Sequence, residues 1–389
     1  MTKSKRIEGL DCDAAAREAI AFVLRAKLER MCQLRDAALD FSDIEGVHKM
    51  RVASRRLRSA LRDFQPYLAT PVSPARLKAV ARALGAVRDE DVAVEMVEGL
   101  ITEADEDARD GIKRLAFRRR ARREDARKSL ASAVGDAALA ELREKFLAQL
   151  ERATAEPRRK AGRAAPRDET GATAAADATH SAGAAGAAVK EVEVAEAIKE
   201  GEAAEEVEAI KEMRFSDAGR RIIRARFREL KESAPSLYRP LEAEPLHEMR
   251  IRAKRLRYAV ELFTQCWGEP VAPYADEIAR LQEYLGELHD CDVWIEDLGA
   301  RLRRGARRRG GAGGPSAHAA ERRAASWLMR HFAKERARHY GKALALWESW
   351  EAMGFASSLF AAVEEARARP PASDAGSAQV DGGGQSVQA

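Results

Sequence analysis

The sequence has few aromatic residues, few cysteines and no long apolar run. Phe, Trp and Tyr make up only 6% of the 389 residues, and alternating runs of Val, Ile and Thr do not occur. Because helix formers dominate instead, the composition predicts an all-α fold. The sequence has no stretch of 18 apolar residues, so no segment is predicted to span a membrane. The N-terminus also lacks the apolar segment of a secretory signal.

Cysteines are scarce and scattered. The four of them, Cys12, Cys32, Cys266 and Cys291, form no Cys-x-x-Cys pair. This usage is typical of free thiols in a reducing cytoplasm, and it predicts a cytoplasmic protein.

Positive charge is abundant but largely offset, with 68 Lys and Arg giving a net charge of only +5. The location of the cations is therefore more informative than their number. One motif occurs twice, 199 residues apart: His48-Lys-Met-Arg51-Val-Ala-Ser-Arg55-Arg56-Leu-Arg58 and His247-Glu-Met-Arg250-Ile-Arg-Ala-Lys254-Arg255-Leu-Arg257. Arg25 and Lys27 match Arg224 and Arg226 at the same offset, which indicates an internal duplication.

Each motif predicts a stripe of cations along one side of a helix. At about 100° per residue, the side chains on that side are His48, Arg51, Arg55, Arg58 and Arg62 in the first copy, and His247, Arg250, Lys254 and Arg257 in the second. Charge runs are usually solvated faces paired with glutamates. Here few acids stand at i+4, Glu261 being the main one, and the stripe recurs in phase. The pattern therefore favours a binding site for a polyanion, because guanidinium groups bind phosphate oxygens bidentately.

The chain divides into two helical halves separated by a segment of different composition. The predicted boundaries are 12–153 for the first half, 154–214 for a disordered and acidic linker, 215–365 for the second half and 366–389 for a disordered tail. Within the linker, residues 190–212 carry nine glutamates. They are expected either to form a marginal acidic helix or to shield the basic site.

Helix boundaries follow from apolar periodicity and from proline. Helices are predicted over about 13–38, 45–68 and 74–101 in the first half. A loop over 303–316 is predicted before a last long helix, about Ala320 to Trp350.

A second repeated motif pairs aspartates after a glycine. It is Leu84-Gly85-Ala-Val-Arg88-Asp89-Glu-Asp91 in the first half and Leu285-Gly286-Glu-Leu-His289-Asp290-Cys-Asp292 in the second. The glycine is expected to allow close helix approach. The aspartates either ligate Mg²⁺ or hold the arginines of the stripe, and we favour the second role. A further basic element, Arg118 to Arg123, is partly matched by Arg330, Lys334, Arg336 and Arg338.

These motifs resemble those of the CHAD family, the conserved histidine α-helical domain. The resemblance covers nearly all of residues 12–150 and 215–365. It implies two four-helix-bundle-like halves related by a pseudo-two-fold axis, with a central basic cleft that binds inorganic polyphosphate and an association with polyphosphate granules. No cofactor and no metal are implied.

The resemblance assigns the polyphosphate contacts to the two stripes. These are His48, Arg51, Arg55, Arg56 and Arg58, with His247, Arg250, Lys254, Arg255 and Arg257. Arg25, Lys27, Arg224 and Arg226 are weaker candidates. Whether the two histidines contact the ligand or position an arginine stays open.

The leading hypothesis is thus a binding protein and not an enzyme. One alternative is nucleic-acid binding, but single-strand binders interleave aromatic platforms with cations, and only Tyr258 lies near the stripe. Substitution of Tyr258 is then expected to matter little. The other alternative is a phosphohydrolase acting on phosphate polymers. Against it, the sequence has no P-loop, no His-Glu-x-x-His and no evident Ser or Cys nucleophile beside a histidine.

Overall fold

A computed structural model describes residues 6–155, 212–307 and 315–368 of the chain. Its described part is all-α, as predicted, with an isolated bridge between Ala15 and Arg214 and no strand. The first half contains α1 (Ala16–Cys32), α2 (Arg35–Leu39), α3 (Ile44–Phe64), α4 (Ala75–Gly99), α5 (Glu106–Ala133) and α6 (Asp136–Thr154). The second contains α7 (Phe215–Glu232), α8 (Ala243–Trp267), α9 (Ala272–Arg307), α10 (Pro315–Ala352) and α11 (Phe355–Ala368).

Three helix predictions differ from the structure. The single helix predicted over about 13–38 is divided by a turn at Gln33 and Leu34 into α1 and α2. Helix α3 ends at Phe64 and not at Leu68, because Pro66 removes a backbone donor and the chain turns into a 3₁₀ segment, Gln65–Tyr67. The loop predicted over 303–316 is too long, since α9 continues to Arg307 and α10 begins at Pro315. Proline suits the first position of a helix because its missing N–H would have no partner there.

Most of the predicted linker and nearly all of the predicted tail lie outside the described residues, in 156–211 and 369–389. The domain boundaries therefore stay predictions. Helices of the two halves begin at matching positions, since Ala16 and Phe215 are 199 residues apart, as are Ile44 and Ala243. A pseudo-two-fold relation between the halves also stays a prediction.

The larger apolar core joins α1 and α3 to α7 and α8. At its centre, the rings of Phe64, Phe215 and Phe263 lie 4.8 to 6.3 Å apart between centroids. Gly219 of α7 faces this cluster, and a Cβ there would lie 2.5 Å from the Phe263 ring. A glycine is therefore required for α7 to approach α8 this closely.

A smaller core lies at the far ends of α4, α5, α9 and α10, where Trp294 stacks on Phe332 with 5.3 Å between ring centroids. Between the two cores these helices carry charged residues instead: Arg88 to Asp91 on α4 and His289 to Asp292 on α9. This polar layer lies beside the N-terminal halves of α3 and α8. No helix of the described residues is long and apolar enough to cross a membrane.

The expectation of four free thiols is wrong for two of them. Cys12, before α1, forms a disulfide with Cys266 near the end of α8, with 5.5 Å between their Cα atoms. They are 254 residues apart in the sequence, so their spacing gave no sign of the pairing. Cys32 and Cys291 are free.

Candidate anion-binding site

The two predicted stripes lie on neighbouring helices. Helix α3 begins at Asp43, whose side chain accepts a hydrogen bond from the Glu45 N–H at 2.8 Å. Its apolar side, which includes Met50, Leu57 and Phe64, is buried in the larger core. Helix α8 buries Met249, Leu256 and Phe263 in the same way, and α3 packs against α8. Burial of these sides turns the polar side of each helix away from the core.

Cations of both stripes come together at this contact. We call the following group the cation cluster: Arg51, Arg55, Arg58 and Arg62 of α3, with Arg250 and Lys254 of α8. Burial, together with the charges of Arg250, Arg55, Arg51 and Arg62, lowers the pKa of Lys254 to about 7. Lys254 therefore lies among arginines of both halves.

Few carboxylates neutralise this cluster. Arg51 pairs with Asp89 of α4 at 3.2 Å. Within the described part of the chain, no carboxylate oxygen lies within 4.0 Å of the other five cations. The Nε atoms of Arg55 and Arg250 are buried and have no hydrogen-bond partner among the described residues. Burial lowers the pKa of Arg55, and neighbouring arginines add to the effect.

An aromatic ring fixes the middle of the cluster. Tyr258 of α8 is only 6% exposed, and the Cζ of Arg55 lies 5.5 Å from its ring centroid. The Cζ of Arg257 lies 5.4 Å from the same centroid. Tyr258 therefore positions Arg55 through a cation–π contact.

The two histidines have different neighbours. The pKa of His48 is lowered, first by burial and then by the charge of Arg88. His247 instead lies against His289 of α9, with 3.1 Å between their Nδ1 atoms. Burial, His247 and Arg250 lower the pKa of His289 to about 4, and burial and Arg250 lower that of His247. Burial, with neighbouring cations, thus favours neutral imidazoles in both halves.

Three of the four repeated aspartates contact arginines. Asp290, the fourth, forms no ion pair among the described residues; burial raises its pKa and the charge of Arg250 opposes the rise. Asp89 pairs with Arg51 of the stripe, as expected. Asp91 lies 4.0 Å from Arg123 and 3.9 Å from Arg127 of α5, and Asp292 pairs with Arg336 of α10 at 2.5 Å. These two aspartates therefore hold arginines of α5 and α10, and not those of the stripes. Across the described ranges, no group of three or more His, Cys, Asp and Glu is placed to hold a metal ion.

The repeated glycines lie beside the stripes. A Cβ at Gly85 would be 4.0 Å from Nε of Arg51, and one at Gly286 would be 3.6 Å from Nε of Arg250. The glycines thus lie beside equivalent arginines. A Cβ at either position would meet no backbone atom of another helix within 4 Å among the described residues, so close helix approach does not require them. Their repetition in the sequence was the signal for this placement.

Four of the predicted contacts are engaged outside the cation cluster, and two of them, Arg56 and Arg226, pair with carboxylates of the other half. Arg56 pairs with Glu261 at 3.0 Å, and Arg226 pairs with Asp63 at 2.8 Å. Arg257 is 6% exposed and contacts Glu261 and Gln282 at 2.6 and 2.9 Å. Lys27 lies beside Arg56, and burial lowers its pKa to about 8.

The remaining candidates lie at the edge of the cluster or outside it. Arg255 is 3.9 Å from Glu229 and adjoins Arg62. Arg25 pairs with Glu151 of α6 at 3.2 Å, and Arg224 pairs with Glu364 of α11 at 2.9 Å. Arg25 and Arg224 are therefore directed to the outer helices. Their partners are distant in sequence, so the repeat alone could not separate these arginines from the cluster.

Among the further basic residues, Arg119 contacts several side chains of both halves. It pairs with Glu90 of α4 at 3.0 Å and Asp297 of α9 at 2.9 Å, and its Cζ lies 4.7 Å from the ring centroid of Trp294. This arginine links the two halves at the smaller core.

Comparisons with known proteins agree with this architecture. The family model for the CHAD domain matches residues 23–299. The crystal structure of the CHAD domain from the plant Ricinus communis is similar at 20% sequence identity and a TM-score of 0.56, over 92% of this chain and 95% of that chain. PptA from Streptomyces chartreusis is similar at 15% identity and a TM-score of 0.53, over 86% of this chain and all of that one, 100%. No curated protein matches the chain by sequence. Since the family model matches well over half of its length, the chain belongs to the CHAD family.

Proposed function

We propose that the protein binds inorganic polyphosphate, without hydrolysing it, in a basic cleft between α3 and α8. The observation that carries the proposal is the cation cluster, in which five of six cations have no carboxylate within 4.0 Å among the described residues. Partly buried like charges repel one another, so such a cluster is stabilised by an anion that neutralises it. The CHAD family is known to bind polyphosphate, which supports polyphosphate as the anion.

A phosphate polymer suits both the chemistry and the layout of the cluster. Arginines spaced one helical turn apart along α3 can each bind the oxygens of a different phosphate along one chain. Lys254 and Arg250 add charge from α8, so one chain can bind across both stripes. His48 and His247 lie at the start of the two stripes, so we assign them to one end of the bound phosphate chain.

The environment of Tyr258 disfavours nucleic acid as the ligand. A stacking platform for bases needs an open aromatic face. Tyr258 is 6% exposed, and Arg55 and Arg257 both lie over its ring. The aromatic residue nearest the stripes therefore supports arginines and offers little surface to a base.

A binding titration tests the proposal. Long-chain polyphosphate is compared with single-stranded DNA of matched charge at two salt concentrations. We expect polyphosphate to bind more tightly and to keep its advantage at the higher salt. Equal affinities that are lost together as salt rises would reduce the cluster to a generic basic surface. Release of phosphate on incubation with Mg²⁺ would favour the phosphohydrolase alternative.

Matched variants test the location of the site. His48→Ala with Arg55→Ala removes two groups of the first stripe. Arg25→Ala with Arg224→Ala removes two arginines that pair with outer helices. We expect the first pair to weaken polyphosphate binding at least about tenfold and the second to change it little. If the first pair leaves the affinity intact, the first stripe is not part of the site.

Recruitment to polyphosphate granules and a cytoplasmic location belong to the same proposal. The disulfide between Cys12 and Cys266 argues against a reducing cytoplasm, because stable disulfides are rare in reducing compartments. Imaging of the tagged protein, with and without cellular polyphosphate, tests recruitment. Thiol labelling of protein taken directly from cells tests whether Cys12 and Cys266 are oxidised there.

A further inference from the structure

A separate groove of about 500 Å³ lies on the other side of α3 from the cation cluster. Its walls come from α1, from α3 and from the N-terminal segment that contains Ile7. The disulfide of Cys12 and a hydrogen bond from the Ile7 N–H to Gln265 Oε1, 3.0 Å long, fix this segment to α8. The groove is therefore a built feature of the fold, and its volume is in the range of small-molecule sites.

The lining combines an apolar floor with several cations. Leu34, Val52, Ala53 and Ile7 supply aliphatic surface, and no aromatic side chain lines the groove among the described residues. The cations on its walls are Arg6, Lys27, Arg30, Lys49 and Arg56.

Most of these cations lack an ion-pair partner. Arg56 pairs with Glu261, and Glu29 on the groove wall pairs with Arg143 of α6 at 2.7 Å. For Arg6, Lys27, Arg30 and Lys49, no carboxylate oxygen of the described residues comes within 4.0 Å. Lys27 is half-buried, and burial lowers its pKa to about 8. Two carboxylates, Glu8 and Glu29, also line the groove, so five cations outnumber two acids around an aliphatic floor.

We propose that this groove is a second binding site, specific for a small amphipathic anion with an aliphatic chain and a phosphate or carboxylate head. The chain lies along Val52, Ala53 and Leu34, where burial of its methylene groups is favourable. The head lies at Lys27 and Lys49. The absence of aromatic lining among the described residues favours an aliphatic body over a nucleobase. A phosphate polymer, which has no apolar part, gains nothing from the floor.

Calorimetric titration of the full chain tests the site with four probes. Decyl phosphate and decanoate, used below their micelle concentrations, carry the two candidate heads. Inorganic phosphate lacks the chain, and decyltrimethylammonium carries the same chain with the opposite charge. We expect saturable binding of at least one decyl anion at one site per protein. Phosphate and the ammonium compound are expected to bind at least about tenfold more weakly.

A matched pair of charge-reversal variants locates the binding. Arg30→Glu with Lys49→Glu acts on two exposed groove cations. Arg82→Glu with Lys231→Glu makes the same change in net charge at exposed cations that do not line the groove. We expect the first variant to weaken the decyl anion at least about tenfold and the second to leave it within about twofold. Val52→Trp, which fills the floor, is expected to weaken it as well.

The outcomes separate this proposal from the polyphosphate site. A preference for decyl phosphate or for decanoate supports the proposal and assigns the head group. Equal losses in the two charge-reversal variants, or equal binding of decyltrimethylammonium, overturn it. Polyphosphate binding by the Arg30→Glu and Lys49→Glu variant is expected to persist, since neither residue belongs to the cation cluster.

Discussion

Lys254 is a residue whose charge depends strongly on its surroundings. Burial and four neighbouring arginines lower its pKa from 10.5 to about 7 in the free protein. A bound phosphate reverses the sign of the local potential and raises the pKa of the lysine again. Polyphosphate binding is therefore coupled to the uptake of a proton at Lys254 whenever the pH lies above about 7.

The first prediction is a pH dependence of affinity that belongs to this lysine. Below pH about 7 the lysine is charged in both states and contributes no pH dependence, and above it binding weakens as the pH rises toward the pKa of the bound state. Calorimetry at a pH just above 8, in two buffers of different ionisation heat, measures the proton uptake. We expect Lys254→Arg to bind but to take up fewer protons, with Lys231→Arg as the control. Equal uptake by Lys254→Arg and the parent protein would contradict the assignment.

The pair of His247 and His289 yields a second prediction, on stability. The pKa of each is lowered from 6.5 by burial, and that of His289 falls to about 4. Between these values the unfolded chain binds more protons than the folded one. The contribution of His289 to the free energy of unfolding is therefore present above pH 6.5 and is lost as the pH falls toward 4.

His289→Gln tests this point, because the amide does not titrate. Urea unfolding at pH 7 and pH 5, without polyphosphate, gives the free energy of unfolding at each pH. We expect the variant to lose less stability than the parent between the two values. An unchanged pH dependence would mean that the close histidine pair does not carry the effect.

Helices α3 and α8 show how much of the fold could be predicted from the sequence. Helical periodicity is local, so it correctly predicted that both motifs lie on helices. The pairing of the cations is not local. Asp63 is 163 residues from Arg226, and Glu261 is 205 residues from Arg56, so no spacing rule connects them. The sequence therefore predicted the stripes but not which arginines the fold neutralises.

The third prediction concerns one of these contacts between elements. Asp63 of α3 is 4% exposed and binds Arg226 of α7 at 2.8 Å. Burial raises the pKa of Asp63 to about 6, and Arg226 opposes that rise. Asp63→Asn removes the negative charge and leaves Arg226 with Glu229 as its other contact. The substitution takes one of two partners from a buried cation, but it also removes the cost of burying the Asp63 charge, so we expect a net loss of only about 1–2 kcal/mol in the free energy of unfolding at pH 7.

Chemical unfolding of Asp63→Asn, with Asp36→Asn as a control, measures this loss. Asp36 pairs with Arg35, but its side chain is 89% exposed, so its contribution is expected to be small. Polyphosphate affinity of the folded Asp63→Asn protein is expected to stay near that of the parent. A large fall in affinity without loss of stability would instead place Arg226 in the binding site, as the family resemblance implied.

At the scale of the whole molecule, the central question is whether the two halves form one site or two. Residues 199 positions apart, Arg55 and Lys254, are close enough in the fold to influence each other electrostatically. The sequence showed two similar stripes, and either arrangement was compatible with it. Only the packing of α3 against α8 places the cations of both stripes in one cluster.

The fourth prediction follows from this single cluster. A polyphosphate chain that spans both stripes binds at one site per protein, and Arg55→Ala weakens that site as a whole. If each phosphate contact releases counterions as in a flexible single-stranded polyanion, the slope of log K against log salt falls by about 0.7 per cation removed. Arg55→Ala and Lys254→Ala, measured below pH 7, are each expected to reduce the slope by about this amount, and the double variant by about twice as much. Arg25→Ala with Arg224→Ala, whose arginines pair with α6 and α11, is expected to leave the slope unchanged.

Two independent sites would behave differently: titration would show two chains per protein, and Arg55→Ala would leave one of the two affinities intact.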